Sequence, residues 1–241
     1  MLIAQTFFIF FVAHFKKMYY FCKELKKIKD MVDNFELYKE YIRKGFEESV
    51  LEKNDTYYVV ELIRRGKDNP DTPAANYHFK NYYIRKPEDL DKYKNEIIKI
   101  CEVLNLRTYA SVNYKSFKQV TLNTIAEMAH RISYNDYNKS YAVFESCSGS
   151  YCNSKNKRWI IDVDDEAINS EYMETLQNII SQCSPCGDKV IAKFPTKSGL
   201  HLITNPFDIM KFNDLCYRII KPEIKKNHLT LLFLHFLYLF L

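Results

Sequence analysis

Apolar side chains recur at helical spacing at Phe35, Tyr38, Ile42, Phe46 and Val50, which predicts an amphipathic helix from about Phe35 to Leu51. The pattern then changes period. Tyr57 to Ile63 is aromatic and β-branched, the signature of a strand. A loop follows from Gly66 to Pro73 (GKDNPDTP), rich in turn formers. A second strand, Tyr82 to Lys86, is stopped by Pro87. Leu90, Tyr93, Ile97, Cys101 and Leu104 form a helical stripe, Arg107 to Asn113 a strand, and Phe117, Val120, Ile125, Met128 and Ile132 a further helix. The second half reads as strand 158–164, helix 169–182 with Met173, Leu176 and Ile180 inward, strands 189–194 and 200–204, a short helix at 209–217 and a final strand from Leu229. No fixed-period repeat interrupts this order. Strands and helices mixed in this way predict an α+β fold, a sheet with helices packed on its faces.

The ends depart from the pattern. Residues 1–15 are an apolar run followed by Lys16 and Lys17. A secretory signal carries its positive charge ahead of the apolar core and small residues at a cleavage site, and this run has neither. It is also short for a bilayer span. Residues 1–30 are therefore expected to be an apolar and basic, helical extension to a domain beginning near Met31, with an interfacial anchor as the alternative. Residues 31–234 are expected to form the domain and 235–241 an apolar tail. The 241 residues, 47% hydrophobic, suffice for one sizeable core. A net charge of +5 permits an anionic partner without demanding one.

Candidate chemistry concentrates in two stretches. Trp159, Ile160 and Ile161 lead into Asp162, Val163 and Asp164, a buried strand that ends in acid. Alternation puts Asp162 and Asp164 on one face and Asp165 on the other. Two carboxylates so close repel unless a cation sits between them, and hard oxygen pairs suit Mg²⁺ or Mn²⁺. The plainer reading is a solvated strand end, with Asp165 and Glu166 capping the next helix. Downstream, Thr196, Lys197, Ser198 and Gly199 lead into His201 and an apolar strand. A small, polar, Gly-bearing loop lets backbone N–H groups approach phosphate, with Lys197 and Ser198 as donors and His201 at the strand's start.

These two stretches, Ile160 to Asp164 and Thr196 to His201, resemble the strand-borne hhhDhD and the T-x-S-G-x-H elements of the archaeo-eukaryotic primase superfamily, in particular its phage and plasmid primase–polymerases. Arg107 to Asn113 and Lys115 to Lys118 are similar to flanking pieces of primase-like phage proteins. The resemblance implies an RRM-like catalytic sheet and a third carboxylate near a later strand. Glu223, in Pro222 to Lys226 ahead of the strand at Leu229, matches it best, a Glu where Asp is usual. Asp208 is the alternative, although it also reads as a helix N-cap. What the resemblance implies is a DNA primase or primase–polymerase, with viral replication in a host cytoplasm as the expected setting. Asp162, Asp164 and Glu223 would hold two Mg²⁺ or Mn²⁺ ions, and Lys197, Ser198 and His201 would grip the phosphates of a nucleoside triphosphate. The implied partners are a single-stranded template and a replicative helicase, with no membrane.

Seven cysteines without a secretory signal argue against a disulfide framework and for a reducing, intracellular compartment. Cys147 with Cys152, and Cys183 with Cys186, lie in predicted loops and suit a structural Zn²⁺ site; scattered free thiols are the other reading. Cys101 falls on an apolar stripe and is expected in the core. Cationic positions at Lys155, Lys157, Arg158, Lys115, Lys118, Arg85 and Lys86 are candidates for template phosphates, and Tyr109 or Tyr114 for base stacking. Lys193 faces either the site or solvent. Two other functions share these residues. In a haloacid dehalogenase-type phosphohydrolase Asp162 would be the nucleophile, but Glu166 stands where that family usually has Thr or Val, and the motif lies late in the chain. In a non-catalytic nucleic-acid-binding protein the acids merely close a strand.

Overall fold

The computed structural model describes residues 31–49, 54–69, 76–150, 157–164 and 168–235. The expectations for residues 1–30 and 236–241, and for Asp165, Glu166, Cys152 and Lys155, lie outside them. Alternation along β2 (Thr56–Arg64) sends Tyr58, Val60 and Leu62 into one core and Tyr57 and Val59 into another, so this strand is covered on both faces. It lies between β3 (Tyr77–Ile84) and β4 (Arg107–Ser111) in a first antiparallel sheet. β10 (Leu229–Leu234) and β1 (Val32–Asp33) continue that sheet beyond β4, and β5 (Lys115–Ser116) pairs with the start of β2.

Helices α1 (Phe35–Glu47) and α2 (Asp89–Leu104) cover one face through Tyr38, Ile42, Leu90 and Ile97, and Cys101 is buried there as expected. The other face is covered by α3 (Phe117–Ser133) and α4 (Val143–Ser150), whose Val120, Phe144 and Cys147 pack against Tyr57 and Val59. Ser116 caps α3 by accepting from the Gln119 N–H.

A second antiparallel sheet is built from β6 (Trp159–Asp164), β7 (Val190–Thr196), β8 (Gly199–Thr204) and β9 (Glu223–Lys226), in the spatial order β7-β8-β6-β9. With α5 (Ser170–Gln182) between β6 and β7, and α6 (Ile209–Leu215) between β8 and β9, the chain order here is βαββαβ. Ile161, Val163 and Leu202 point at these helices and pack with Leu176, Ile180 and Phe212. Ile160, Ile203 and Phe194 point the other way and join the core of the first sheet, where Phe194 meets Tyr41 edge-on at 5.7 Å. The result is a mixed α+β fold with two antiparallel sheets and, among the described residues, six α-helices. None of them is long and apolar enough to cross a membrane.

Several boundaries differ from the sequence expectation. β3 starts at Tyr77, five residues early, because its first half is an exposed edge whose side chains need no apolar pattern. Helix α4 falls in a stretch read as loop; its Ser146, Ser148, Gly149 and Ser150 hide a weakly amphipathic turn held by tertiary packing. Residues 223–226, expected to precede the last strand, are themselves a strand, and they belong to the other sheet from Leu229–Leu234.

Candidate functional site

Asp162 sits in the middle of the second sheet. Its register partners are His201 on β8 and Glu223 on β9, and Asp164 stands opposite Gly199. Directly opposed residues of antiparallel strands share a face, so His201, Asp162 and Glu223 form one cross-strand row with Asp164 beside it. The face that is apolar at Ile160 and Ile203 thus becomes acidic within two residues.

His201 is nearly buried, with Nε2 3.4 Å from Asp162 Oδ1 and Nδ1 3.0 Å from Thr230 Oγ1 on the first sheet. The Asp162 carboxylate can only accept, so it is the Nε2–H of the ring that faces it. Lys225, two residues after Glu223 and therefore on the same face, pairs with Asp162 and lies 3.2 Å from Glu223 Oε2. The His201 ring and then Lys225 hold the Asp162 carboxyl far below the usual carboxylate range, against the opposing effect of burial. Burial alone would lower the Lys225 pKa; Asp162 and Glu223 outweigh it and raise it.

Lys197 and Ser198 form a two-residue turn between β7 and β8, where Thr196 pairs with Gly199. This is a tight hairpin rather than an open loop. Gly199 has φ +151°, and a Cβ there would stand 2.0 Å from the Val163 carbonyl oxygen. Glycine is therefore what lets the hairpin close onto β6 and carry Lys197 and Ser198 to the acids.

The row opens into a cleft of about 560 Å³ where the two sheets meet. The second sheet supplies Asp162, Asp164, Lys197, Ser198, His201 and Lys225; the first supplies Ile63, Arg65, Arg107, Tyr109 and Leu231, with Lys67 close by. Arg107 holds Asp68 through two hydrogen bonds of 2.6 and 2.7 Å. Arg65 Nη1 donates to the Tyr109 hydroxyl at 3.2 Å. Proximity to Arg65, then burial and Arg107, lowers the Lys67 pKa. Five cationic side chains line the cleft against the two aspartates. That excess of positive charge beside paired acids suits an anionic ligand that brings or meets a cation.

The structure brings Asp162, Asp164, Lys197, Ser198 and His201 to one cleft. Glu223 stands at its edge, in a smaller neighbouring cavity that also touches Asp162 and Asp164. Asp208 is an N-cap, accepting from the N–H groups of Met210 and Lys211. Among the described residues no three His, Cys, Asp or Glu cluster as metal ligands. This includes the acids of β6 and β9, where Lys225 stands between Asp162 and Glu223. Two carboxylates on one face still fit a hard divalent cation in donor type, provided the ammonium moves aside.

Other expected positions lie elsewhere. Cys147 belongs to the core under α3 and α4, while Cys183 is buried in the core under α5 and α6, its thiol donating to the Ile179 carbonyl; Cys186 is exposed. Cys147 lies on a helix and not in a loop. Lys115 is buried and donates to the Ser148 carbonyl at 2.6 Å, and Tyr114 is core, so neither faces a template. Lys193 reaches Gln177 on α5, away from the cleft. Arg158 is tied to Glu48 and Asn205. Tyr109, in contrast, does line the cleft. Sequence reasoning missed Arg65, Lys67, Thr230 and the cleft position of Arg107. The cationic run Arg64, Arg65 and Lys67 closing a strand was the available signal; Thr230 had none.

Comparison with protein-family models, with curated proteins and with solved structures finds no match for this chain.

Proposed function

We propose that this chain is a metal-dependent nucleotidyltransferase of the primase–polymerase type, acting on a nucleoside triphosphate along a single-stranded template. The observation that carries the reading is the convergence of Asp162, Asp164 and His201 on one face of one cleft, with Lys197 and Ser198 at its rim. The βαββαβ order and the β7-β8-β6-β9 arrangement support an RRM-like catalytic sheet. They place the aspartates on the strand that opens this unit and the histidine on its central neighbour.

In this reading Asp162 and Asp164 would hold the divalent cation, with Glu223 at the neighbouring sheet edge. Such a cation, when bound, neutralises triphosphate charge and eases ionisation of the attacking hydroxyl. The chain's own groups do the rest. The Lys225 and Lys197 ammonium groups would stabilise negative charge on the transferring phosphoryl group. Once the cation has taken over Asp162, the Nε2–H of His201, whose ring Thr230 holds in place, would turn from that carboxylate to a phosphate oxygen. Asp162 stays ionised throughout the neutral range, since its neighbours hold it so. Arg65 and Lys67 face the cleft from the first sheet, where a template or triphosphate phosphate is the natural partner.

The test is extension of a labelled primer on a single-stranded template with Mn²⁺ and deoxynucleotides. Extension by the wild type that disappears in the Asp162→Ala, Asp164→Ala double variant is expected. Extension that survives in the double variant overturns the reading. Release of phosphate from a simple monoester instead points to hydrolase chemistry, and binding without turnover to a nucleic-acid-binding protein.

A further inference from the structure

Among the described residues, Lys225 is the cation placed between the carboxylates of β6 and β9. Asp162 and Glu223 are directly opposed on adjacent strands, where like charges destabilise a sheet. The Lys225 ammonium contacts both, and it comes from the same short strand as Glu223. About a quarter of its side chain is exposed, and it borders the cleft. A lysine head on a four-carbon stem is a point charge that can change partners without moving the backbone. Its neighbour Lys226 points to the opposite face, with Nζ 4.9 Å from the Trp159 ring.

We propose that Lys225 is an exchangeable internal counter-ion: it occupies the acids in the free protein and transfers to the triphosphate when a divalent cation takes its place on them. This rests on the nucleotidyltransferase reading of the cleft and adds to it a coupling between two ligands. Without nucleotide, the ammonium competes with the cation for Asp162. With a triphosphate in the cleft, the ammonium gains a new anionic partner and releases the carboxylates. Metal and nucleotide therefore tighten each other's binding, by the same factor in either order.

Direct binding of Mn²⁺, followed by electron paramagnetic resonance on the full chain, tests this without requiring turnover. Titrations are made with and without an α,β-non-hydrolysable deoxynucleoside triphosphate. In the wild type the triphosphate is expected to tighten Mn²⁺ binding by at least about fivefold, the lower end of common coupling factors. Lys225→Met should bind Mn²⁺ alone at least about fivefold more tightly than the wild type, with a correspondingly smaller response to the triphosphate. Lys225→Arg, which keeps a cation there, should stay closer to the wild type. Lys226→Met removes the same charge from the same strand but from the opposite face, and should leave Mn²⁺ affinity within about twofold.

Mn²⁺ affinity unchanged or weaker in Lys225→Met overturns the proposal, as does an equal gain in Lys226→Met, which would make the effect one of net charge. Near-ultraviolet circular dichroism of each variant verifies that the fold is retained. Asp162→Asn separates the two levels of the argument. If Mn²⁺ binding is indifferent to that change, the metal reading of the cleft fails and the counter-ion with it. If Asp162→Asn abolishes binding while Lys225→Met has no effect, only the counter-ion is lost.

Discussion

Arg107 grips Asp68 with a planar fork, two hydrogen bonds and under a tenth of either side chain exposed, whereas Lys225 holds Asp162 through one ammonium, with about a quarter of each exposed and Glu223 as a second partner. Of these two pairs, Arg107, Asp162 and Lys225 all line the same cleft. In the first, Arg107 closes β4 onto the 3₁₀ turn at Gly66–Asp68, and Asn105 donates to the Asp68 carbonyl as well. Nothing there is free to exchange without leaving a buried charge. In the second, the acid also faces His201 and the cation has a short reach to either carboxylate. The difference separates a pair that holds the wall in shape from one that holds a reactive site at rest.

The largest expected effect concerns the exchangeable side. Replacing Asp162 and Asp164 together by Ala should lower template-directed extension by about a thousandfold or more, since charge-stabilising groups of this kind are worth that much. Circular dichroism should show the fold retained. The structural side breaks differently. Arg107→Ala leaves the Asp68 carboxylate in the wall without its partner and should cost about 3–5 kcal/mol in chemical denaturation. An equal loss of stability on removing Lys225 would erase the distinction between the two pairs.

Gly199→Ala tests how the hairpin reaches β6. The added methyl meets the Val163 carbonyl, and φ +151° is unfavourable for alanine, so a loss of about 1–3 kcal/mol is expected in denaturant melts. Smaller still is the effect of Thr230→Val, which removes the hydroxyl that fixes His201. Extension should fall several-fold and regain most of its rate in Thr230→Ser, while stability changes little.

Asp162 also gives a signature in pH. Its folded pKa is depressed, so the stability it contributes is complete above the unfolded carboxylate value of about 3.9 and fades as pH falls through the folded value. The stability gap between wild type and Asp162→Asn, followed by thermal melts, should be flat from neutral pH to about pH 5 and narrow below about pH 4. A gap that instead widens in acid would mean that Asp162 is not the paired, depressed acid described here.

The acids of β6 were legible because strand alternation is local: Ile160, Asp162 and Asp164 must share a face whatever surrounds them. The helical stripes of α1, α2 and α5 were legible for the same reason. Lys115 shows the limit. Its charge reads as surface, yet β5 buries it and the Ser148 carbonyl receives it. Cys147 and Cys183 show another limit, since their spacing suggested a shared site while the chain carries them to different layers. Thr230 carries no motif at all and becomes important only through contact with His201.

Periodicity and turn chemistry along the chain determined the α+β class, most of the elements and the identity of the acidic strand, because each depends on φ/ψ preferences and on which side of a short segment faces water. Tertiary structure alone decided that 223–226 and 229–234 enter different sheets, that Arg65, Lys67 and Arg107 face the aspartates, and that Lys225 rests between Asp162 and Glu223. Those outcomes depend on register and sheet packing between residues far apart in sequence, and no local pattern encodes such distances.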